Sequence, residues 1–120
     1  MNWSTKKYQV QLENGDEESV TGISNGLFGL SADGVLTHLP TGYRIARFPD
    51  QQSGRAAGDY LTVVYAEEFN ALNKAFRKSM TYEQYRSLSE AADLNAKING
   101  DRDFNRQLAE AGVERGSHNS

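Results

Sequence analysis

The hydrophobic pattern of this chain changes near its middle, and this change constrains the fold more than any other feature. From Tyr8 to about Phe48, short apolar runs are separated by Asn-Gly and Asp-Gly pairs, which are typical of tight turns between strands. From about Gly54 onward, apolar residues recur at the three- and four-residue spacing of a helix. The pattern therefore predicts an α+β fold, with strands in the first half and helices in the second.

The first half predicts an antiparallel β-meander of four or five short strands. Tyr8, Val10 and Leu12 alternate with polar residues, and the pair Asn14-Gly15 then supplies a hairpin turn. Further strands are expected over residues 19–23, 27–30, 35–39 and 43–48. Antiparallel pairing is expected because each connection is short.

The second half predicts two or three helices, of which the first is ambiguous. One apolar stripe at helical spacing consists of Ala57, Leu61, Tyr65, Phe69, Leu72 and Phe76. This stripe favours a helix within residues 54–78. The β-branched run at residues 62–64 leaves an alternative, in which a strand over residues 60–65 precedes a shorter helix.

The later helices have clearer boundaries. Thr81 and Gln84 match a capping box, which predicts a helix that continues to the Asn-Gly pair at residues 99–100. Asp101 is a suitable N-cap for a final helix from Arg102 to about Gly112.

Length and composition limit the class of protein. The chain has 120 residues, so we expect a single domain over residues 1–113 and a flexible C-terminal tail over residues 114–120. It contains no cysteine, which favours a cytoplasmic location. No apolar run approaches the length of a membrane span. The net charge of -3 argues against direct DNA binding.

No pattern of catalytic or metal-binding residues is present in the sequence. The only histidines are His38 and His118, so a Ser-His-Asp relay would depend on His38 alone. There is no histidine pair at helical spacing and no calcium-loop pattern. We therefore expect a non-enzymatic protein without a metal or cofactor.

The residues most suited to binding lie at the start of the last predicted helix. Arg102 and Arg106 share a helix face, and a helix N-terminus attracts anions, so a phosphate could be held there with help from Asn105. Phe104 or Tyr82 could then stack on a base. The alternative is ordinary packing of Phe104, with the arginines in surface ion pairs.

Two other charged segments could also meet a partner. Arg44 and Arg47 are expected on opposite faces of a strand, so at most one of them would join a given pocket. Residues 74–86 carry an excess of cations over anions. The hairpin around Asn14-Gly15 carries four carboxylates and no cation, namely Glu13, Asp16, Glu17 and Glu18. Such a cluster is either a solvated turn or an acidic binding surface.

Residues 37–45, Thr-His-Leu-Pro-Thr-Gly-Tyr-Arg-Ile, form a strand-turn-strand pattern that resembles small phage-encoded anti-defence proteins with a β half and a helical half. One such group is the anti-Thoeris sponges, oligomers that sequester a cyclic ADP-ribose-type immune signal in pockets lined by arginine and aromatic residues. The resemblance implies a homo-oligomer in the host-cell cytoplasm that binds a nucleotide-like small molecule.

A second hypothesis places the chain in another class. The acidic hairpin could mimic nucleic acid and block a basic groove, which would make the chain a protein-binding inhibitor of a host defence complex such as a CRISPR effector. A structural or regulatory phage protein is a third possibility.

Overall fold

The structure, a computed structural model, describes residues 2–113, and the predicted tail with His118 lies outside these residues. Five strands come first: β1 (Ser4–Gln11), β2 (Glu17–Ser24), β3 (Phe28–Ser31), β4 (Val35–His38) and β5 (Arg44–Arg47). Five helices follow: α1 (Gln51–Val64), α2 (Ala66–Ala75), α3 (Tyr82–Arg86), α4 (Ser89–Asn99) and α5 (Arg102–Ala111). The predicted α+β fold is confirmed, and the strands pair antiparallel in chain order.

The sheet curls, so that β1 approaches the turn between β4 and β5. The Gln11 amide donates a hydrogen bond of 2.7 Å to the carbonyl of Gly42. On the same sheet, the Tyr8 ring lies against Gly29, where a Cβ atom would sit only 2.6 Å from Tyr8 Cζ. Glycine is therefore required at position 29 for the ring to pack in this way.

The core lies between the sheet and the helices. Phe28, Leu30 and Leu36 are fully buried. Leu30 and Leu36 meet α1, where Gly54 allows a close approach: a Cβ there would lie 2.7 Å from Leu30 Cδ1. Phe28 meets Phe69 of α2 with ring centroids 5.1 Å apart. The helical side of this core consists of Ala57, Leu61, Tyr65, Phe69, Leu72, Leu94, Ile98, Phe104 and Leu108. No helix within residues 2–113 has both the length and the apolar character needed to cross a membrane.

Residues 60–64 belong to a helix and not to a strand, but the predicted helix is interrupted at Tyr65. α1 ends at Val64, and Tyr65 adopts φ -119° and ψ 26° before α2 begins. Three consecutive β-branched residues precede this break, and the Thr62 hydroxyl bonds back to the Gly58 carbonyl at 2.7 Å, which favours bending. The apolar stripe still faces the same side in both helices, because main-chain hydrogen bonds from Tyr65 to Leu61 and from Phe69 to Tyr65 continue across the break.

The predicted helix from Thr81 to Asn99 is likewise two helices. The capping box of Thr81 and Gln84 is present and starts α3, but Leu88 is extended at φ -64° and ψ 134°. The Ser87 hydroxyl bonds back to the Glu83 carbonyl, and Leu88 packs against the core. The prediction of one continuous helix was wrong, because the chain leaves the helical conformation at Leu88, whose partly buried side chain packs against the core.

Candidate functional site

The start of α5, where an anion site was predicted, is occupied by a carboxylate of the protein itself. Asp101 Oδ1 accepts a hydrogen bond of 3.0 Å from the Phe104 amide. Asp101 Oδ2 accepts hydrogen bonds from the hydroxyls of Tyr60 at 2.7 Å and Tyr65 at 2.6 Å. Partial burial opposes ionisation, yet the hydrogen bonds from Tyr65, Phe104 and Tyr60 lower the pKa of Asp101. The positive end of the helix dipole therefore already has an anionic partner.

The pKa values of the two tyrosines shift upward, in the opposite direction to that of Asp101. The hydrogen bond to Asp101, followed by burial, raises the pKa of Tyr60 to about 12. Burial, followed by the same kind of bond, raises the pKa of Tyr65 as well. Both phenols therefore stay protonated at neutral pH and act as donors that hold the end of α1 against the start of α5.

Phe104 is part of the core. Its side chain is 1% exposed and stacks on Tyr60, with ring centroids 5.3 Å apart and an interplanar angle of 21°. Both faces of a buried ring are used for packing, so Phe104 offers no surface on which a base could stack.

The polar residues of α5 are exposed or bonded to their neighbours. Arg106 pairs with Asp103 at 3.0 Å, and Asn105 donates to the Asn99 carbonyl at 2.9 Å. Arg102 is exposed, and no hydrogen bond or ion pair within residues 2–113 involves its side chain. The ordinary alternative of packing and surface ion pairs thus describes most of this segment.

Simple alternation along a strand predicts that Arg44 and Arg47 lie on opposite faces, but the structure places them on the same face. Arg44 pairs with Thr37 and Arg47 pairs with Val35, and these two β4 residues share a face. The arginines are three residues apart while their partners are two apart, so β5 carries one extra residue as a bulge. Arg47 bonds to Asp33 at 3.3 Å, and Arg44 is exposed.

Tyr82 lies in a cluster of aromatic rings that is separate from α5. Tyr43 and Tyr85 stack at 4.1 Å between centroids, and Phe76 meets Tyr43 edge-on at 6.0 Å. Tyr82 lies 5.9 Å from Tyr43 and is 41% exposed, so it forms the outer surface of the cluster. The Arg86 guanidinium lies 5.6 Å from the Tyr82 centroid, in cation–π geometry.

The main chain fixes this cluster in place. The buried Tyr43 hydroxyl donates a hydrogen bond to the carbonyl of Met80. Burial also raises the pKa of the Tyr85 phenol to about 12. The Tyr82 amide donates to the Glu13 carbonyl at 2.9 Å, which joins α3 to the hairpin between β1 and β2. The short helix that carries the exposed ring of Tyr82 is thus anchored to the β1–β2 hairpin.

Exposed cations flank Tyr82 in the sequence, and one of them, Arg86, lies over its ring. We call the exposed side chains of Lys74, Arg77, Lys78, Tyr82 and Arg86 the basic aromatic surface. The ion pairs described within residues 2–113 join Arg47 to Asp33, Lys97 to Glu68 and Arg106 to Asp103, and none of them uses a cation of this surface. These charges are therefore available to an anionic partner.

The acidic hairpin lies beside the basic aromatic surface. A Cβ on Gly15 would be 2.5 Å from the Ser79 carbonyl oxygen, so the hairpin tip packs directly on the connection between α2 and α3. The backbone of the tip is fixed by this contact, while its carboxylates remain exposed. They belong to Glu13, Asp16, Glu17 and Glu18.

His38 is buried among aromatic rings. Its side chain has no exposed surface, its Nδ1 lies 2.9 Å from Thr41 Oγ1, and Phe28 and Phe69 flank the ring at 5.6 and 4.7 Å. Burial lowers the pKa of His38 to about 4, so the imidazole is neutral at pH 7. Within residues 2–113, no three His, Asp or Glu side chains cluster as metal ligands would.

The aromatic neighbours of Tyr82 were not predicted from the sequence. Tyr82, Tyr85 and Arg86 lie three and four residues apart on a short helix, and this spacing places them on one face. That spacing was a usable signal. Tyr43 and Phe76 could not be assigned in the same way, because only the fold brings β5 and the end of α2 to α3.

Comparisons of this chain with protein-family models, with curated proteins and with solved structures gave no match.

Proposed function

We propose that this chain is a non-enzymatic binding protein that holds a nucleotide-like anion at the basic aromatic surface. The observation that carries the proposal is the exposed ring of Tyr82, which lies beside the guanidinium of Arg86, a cation without an ion-pair partner in residues 2–113. A base could stack on the ring, while a phosphate could accept charge-assisted hydrogen bonds from arginine.

The anchoring of the Tyr82 main chain favours such a role. A residue whose backbone is already held by a capped helix and by the Glu13 carbonyl loses less conformational freedom when a ligand binds. Stacking of a base on an aromatic side chain contributes about 1–3 kcal/mol. Tyr82 supplies the stacking surface, and the surrounding cations supply attraction and orientation.

Sequestration requires only binding, so a protein without catalytic residues can perform it. The resemblance of residues 37–45 to phage anti-defence proteins points to a signal of the cyclic ADP-ribose type as the ligand. A homo-oligomer in the host cytoplasm would raise the number of sites and could place them at interfaces. We propose this biological role as the setting for the binding chemistry.

Isothermal calorimetry tests the proposal, with cyclic ADP-ribose isomers and cyclic dinucleotides as ligands. Substitution of Tyr82 by alanine should weaken binding by about 5- to 100-fold, which corresponds to the loss of one stacking contact. Substitution of Arg86 by glutamine should weaken it by about tenfold or more, because a charge-assisted hydrogen bond is lost. The matched control is the double variant R102Q/R106Q, which removes two arginines from α5 and should leave the affinity unchanged.

Two results would contradict the proposal. If no ligand of the panel produces heat, the chain does not bind a molecule of this class. If R102Q/R106Q abolishes binding while Y82A does not, the ligand sits at α5 and the basic aromatic surface is the wrong site.

A second function is favoured by the fixed position of the hairpin tip. Its carboxylates are exposed on a backbone that is docked at Ser79, which suits an inhibitor that presents negative charge to a basic groove. The variant E13Q/D16N/E17Q/E18Q keeps the docked Gly15 and removes the charge. It should abolish inhibition of a purified CRISPR effector in a DNA-binding assay, and unchanged inhibition would reject this mechanism.

A further inference from the structure

β1 is an edge strand of the sheet, and its outer side pairs with no other strand among the described residues. Both ends of β1 are held in place by contacts with other segments. At one end, the Trp3 indole packs against Gly58, where a Cβ would lie 2.8 Å from the ring, and its Nε1 donates to Asp59 at 3.0 Å. At the other end, the Gln11 amide is bonded to Gly42. The intervening residues are therefore kept extended without a neighbouring strand on that side.

The hydrogen-bonding direction along β1 follows from the main-chain hydrogen bonds at its C-terminal end. Gln11 points its amide away from β2, whereas the Leu12 amide bonds to Asp16 across the hairpin. Because bonding direction alternates along a strand, Thr5, Lys7 and Gln9 direct their peptide groups outward like Gln11. Among the described residues, no main-chain hydrogen bond is recorded for the outward groups of these three residues, although Gly42 lies against the Gln9 carbonyl, where its added Cβ would be 3.3 Å away.

The side chains of this edge carry unpaired positive charge. Lys6 pairs across the sheet with Gly22, and Lys7 pairs with Thr21, so neither lysine faces a carboxylate on β2. Both are exposed, and no ion pair within residues 2–113 involves them. The two side chains project to opposite faces of the sheet, so a strand with adjacent acidic residues could meet both.

We propose that the edge of β1 from Thr5 to Gln9 binds an acidic extended peptide as a sixth strand. Main-chain hydrogen bonds to the outward groups would supply affinity, and carboxylates opposite Lys6 and Lys7 would supply selectivity. A second copy of β1 is a poor partner, because antiparallel pairing would set lysines against lysines. This site is independent of the basic aromatic surface.

Amide hydrogen exchange tests the proposal residue by residue. The probe is the peptide acetyl-Thr-Val-Glu-Glu-Val-Thr-amide, and the control is the same peptide with two lysines in place of the glutamates. At saturating acidic peptide, exchange at Thr5, Lys7 and Gln9 should slow by about tenfold or more, because these amides become hydrogen-bonded. Lys6 and Tyr8, which already bond to β2, should change little.

Two variants complete the test. K6E/K7E changes only exposed side chains and should reverse the preference, so that the lysine peptide protects the edge instead. Lys7→Pro removes an outward amide that β2 does not use, and it should abolish protection at Thr5 and Gln9 while the circular dichroism spectrum is kept. The proposal is overturned if both peptides protect the edge equally, if neither does so at millimolar concentration, or if the acidic peptide perturbs only residues 74–86.

Discussion

The buried imidazole of His38 should make the stability of this protein depend on pH between 5 and 7. Burial lowers the pKa of His38 to about 4, while an unfolded chain has the ordinary value of 6.5. As the pH falls below 6.5, His38 takes up a proton in the unfolded state but stays neutral in the folded state. The contribution of neutral His38 to the free energy of unfolding is therefore fully present above pH 6.5, and it is lost as the pH falls toward 4.

The size of the effect follows from these two pKa values. Between pH 7 and pH 5, proton uptake by His38 in the unfolded state should lower the free energy of unfolding by about 1.8 kcal/mol. Carboxylates add little in this range because their ordinary pKa values of about 4 lie below it. Trp3, the single tryptophan, packs on α1 and therefore reports unfolding by fluorescence in urea.

Replacement of His38 by asparagine removes the titrating group but keeps a polar atom near Thr41. The variant should lose about 2 kcal/mol at pH 7, because the ring volume is left unfilled. Its difference between pH 7 and pH 5 should be smaller than that of the original protein by about 1.8 kcal/mol. The control is His118→Gln, which removes the other imidazole in the sequence and leaves His38 in place. The reasoning fails if H38N keeps the full pH dependence or if H118Q alone removes it.

Two further substitutions test the packing described above. Asp101→Asn should lower the free energy of unfolding by about 2 kcal/mol in urea denaturation, because it removes the negative charge at the start of α5 and replaces a carboxylate acceptor of two phenols with a neutral amide. It should also move the ultraviolet titration of Tyr60 to lower pH; an unchanged titration would exclude Asp101 as the cause of the raised pKa. Gly29→Ala should cost about 1–3 kcal/mol, because the added methyl group meets the Tyr8 ring. Gly100→Ala, where the new Cβ makes only ordinary contacts, should change stability by less than about 1 kcal/mol, and equal losses for the two glycines would refute the packing argument.

The order of strands and helices was predictable because local signals determined it. Asn-Gly and Asp-Gly pairs marked turns, and the capping box at Thr81 and the N-cap at Asp101 marked helix starts, as the structure has them. The breaks at Tyr65 and Leu88 were not predictable in the same way. The β-branched run before Tyr65 is a local signal, but it is equally compatible with a strand. The packing of Leu88 against the core is a tertiary contact that local helix propensity does not describe.

The placement of candidate site residues was less predictable, because it depends on contacts between distant segments. The sequence left Phe104 with two roles, stacking on a ligand or packing in the core, and only the position of Tyr60 decides between them. Asp101 was identified as a cap. Its hydrogen bonds with Tyr60 of α1 and with Tyr65, the residue after α1, depend on the tertiary fold. The faces of Arg44 and Arg47 depended on a bulge that no residue pattern announces.

The contact between the β1–β2 hairpin and α3 has a consequence for the order of folding. The hairpin itself is local in sequence and can form as soon as β2 has left the ribosome. Its tip cannot dock until Ser79 and Tyr82 have also been synthesised, because these residues supply the docking surface. Closing such a long loop costs entropy before the contact stabilises anything, so docking should come late. A nascent chain that stops before residue 79 would therefore carry an acidic hairpin with nothing to orient it.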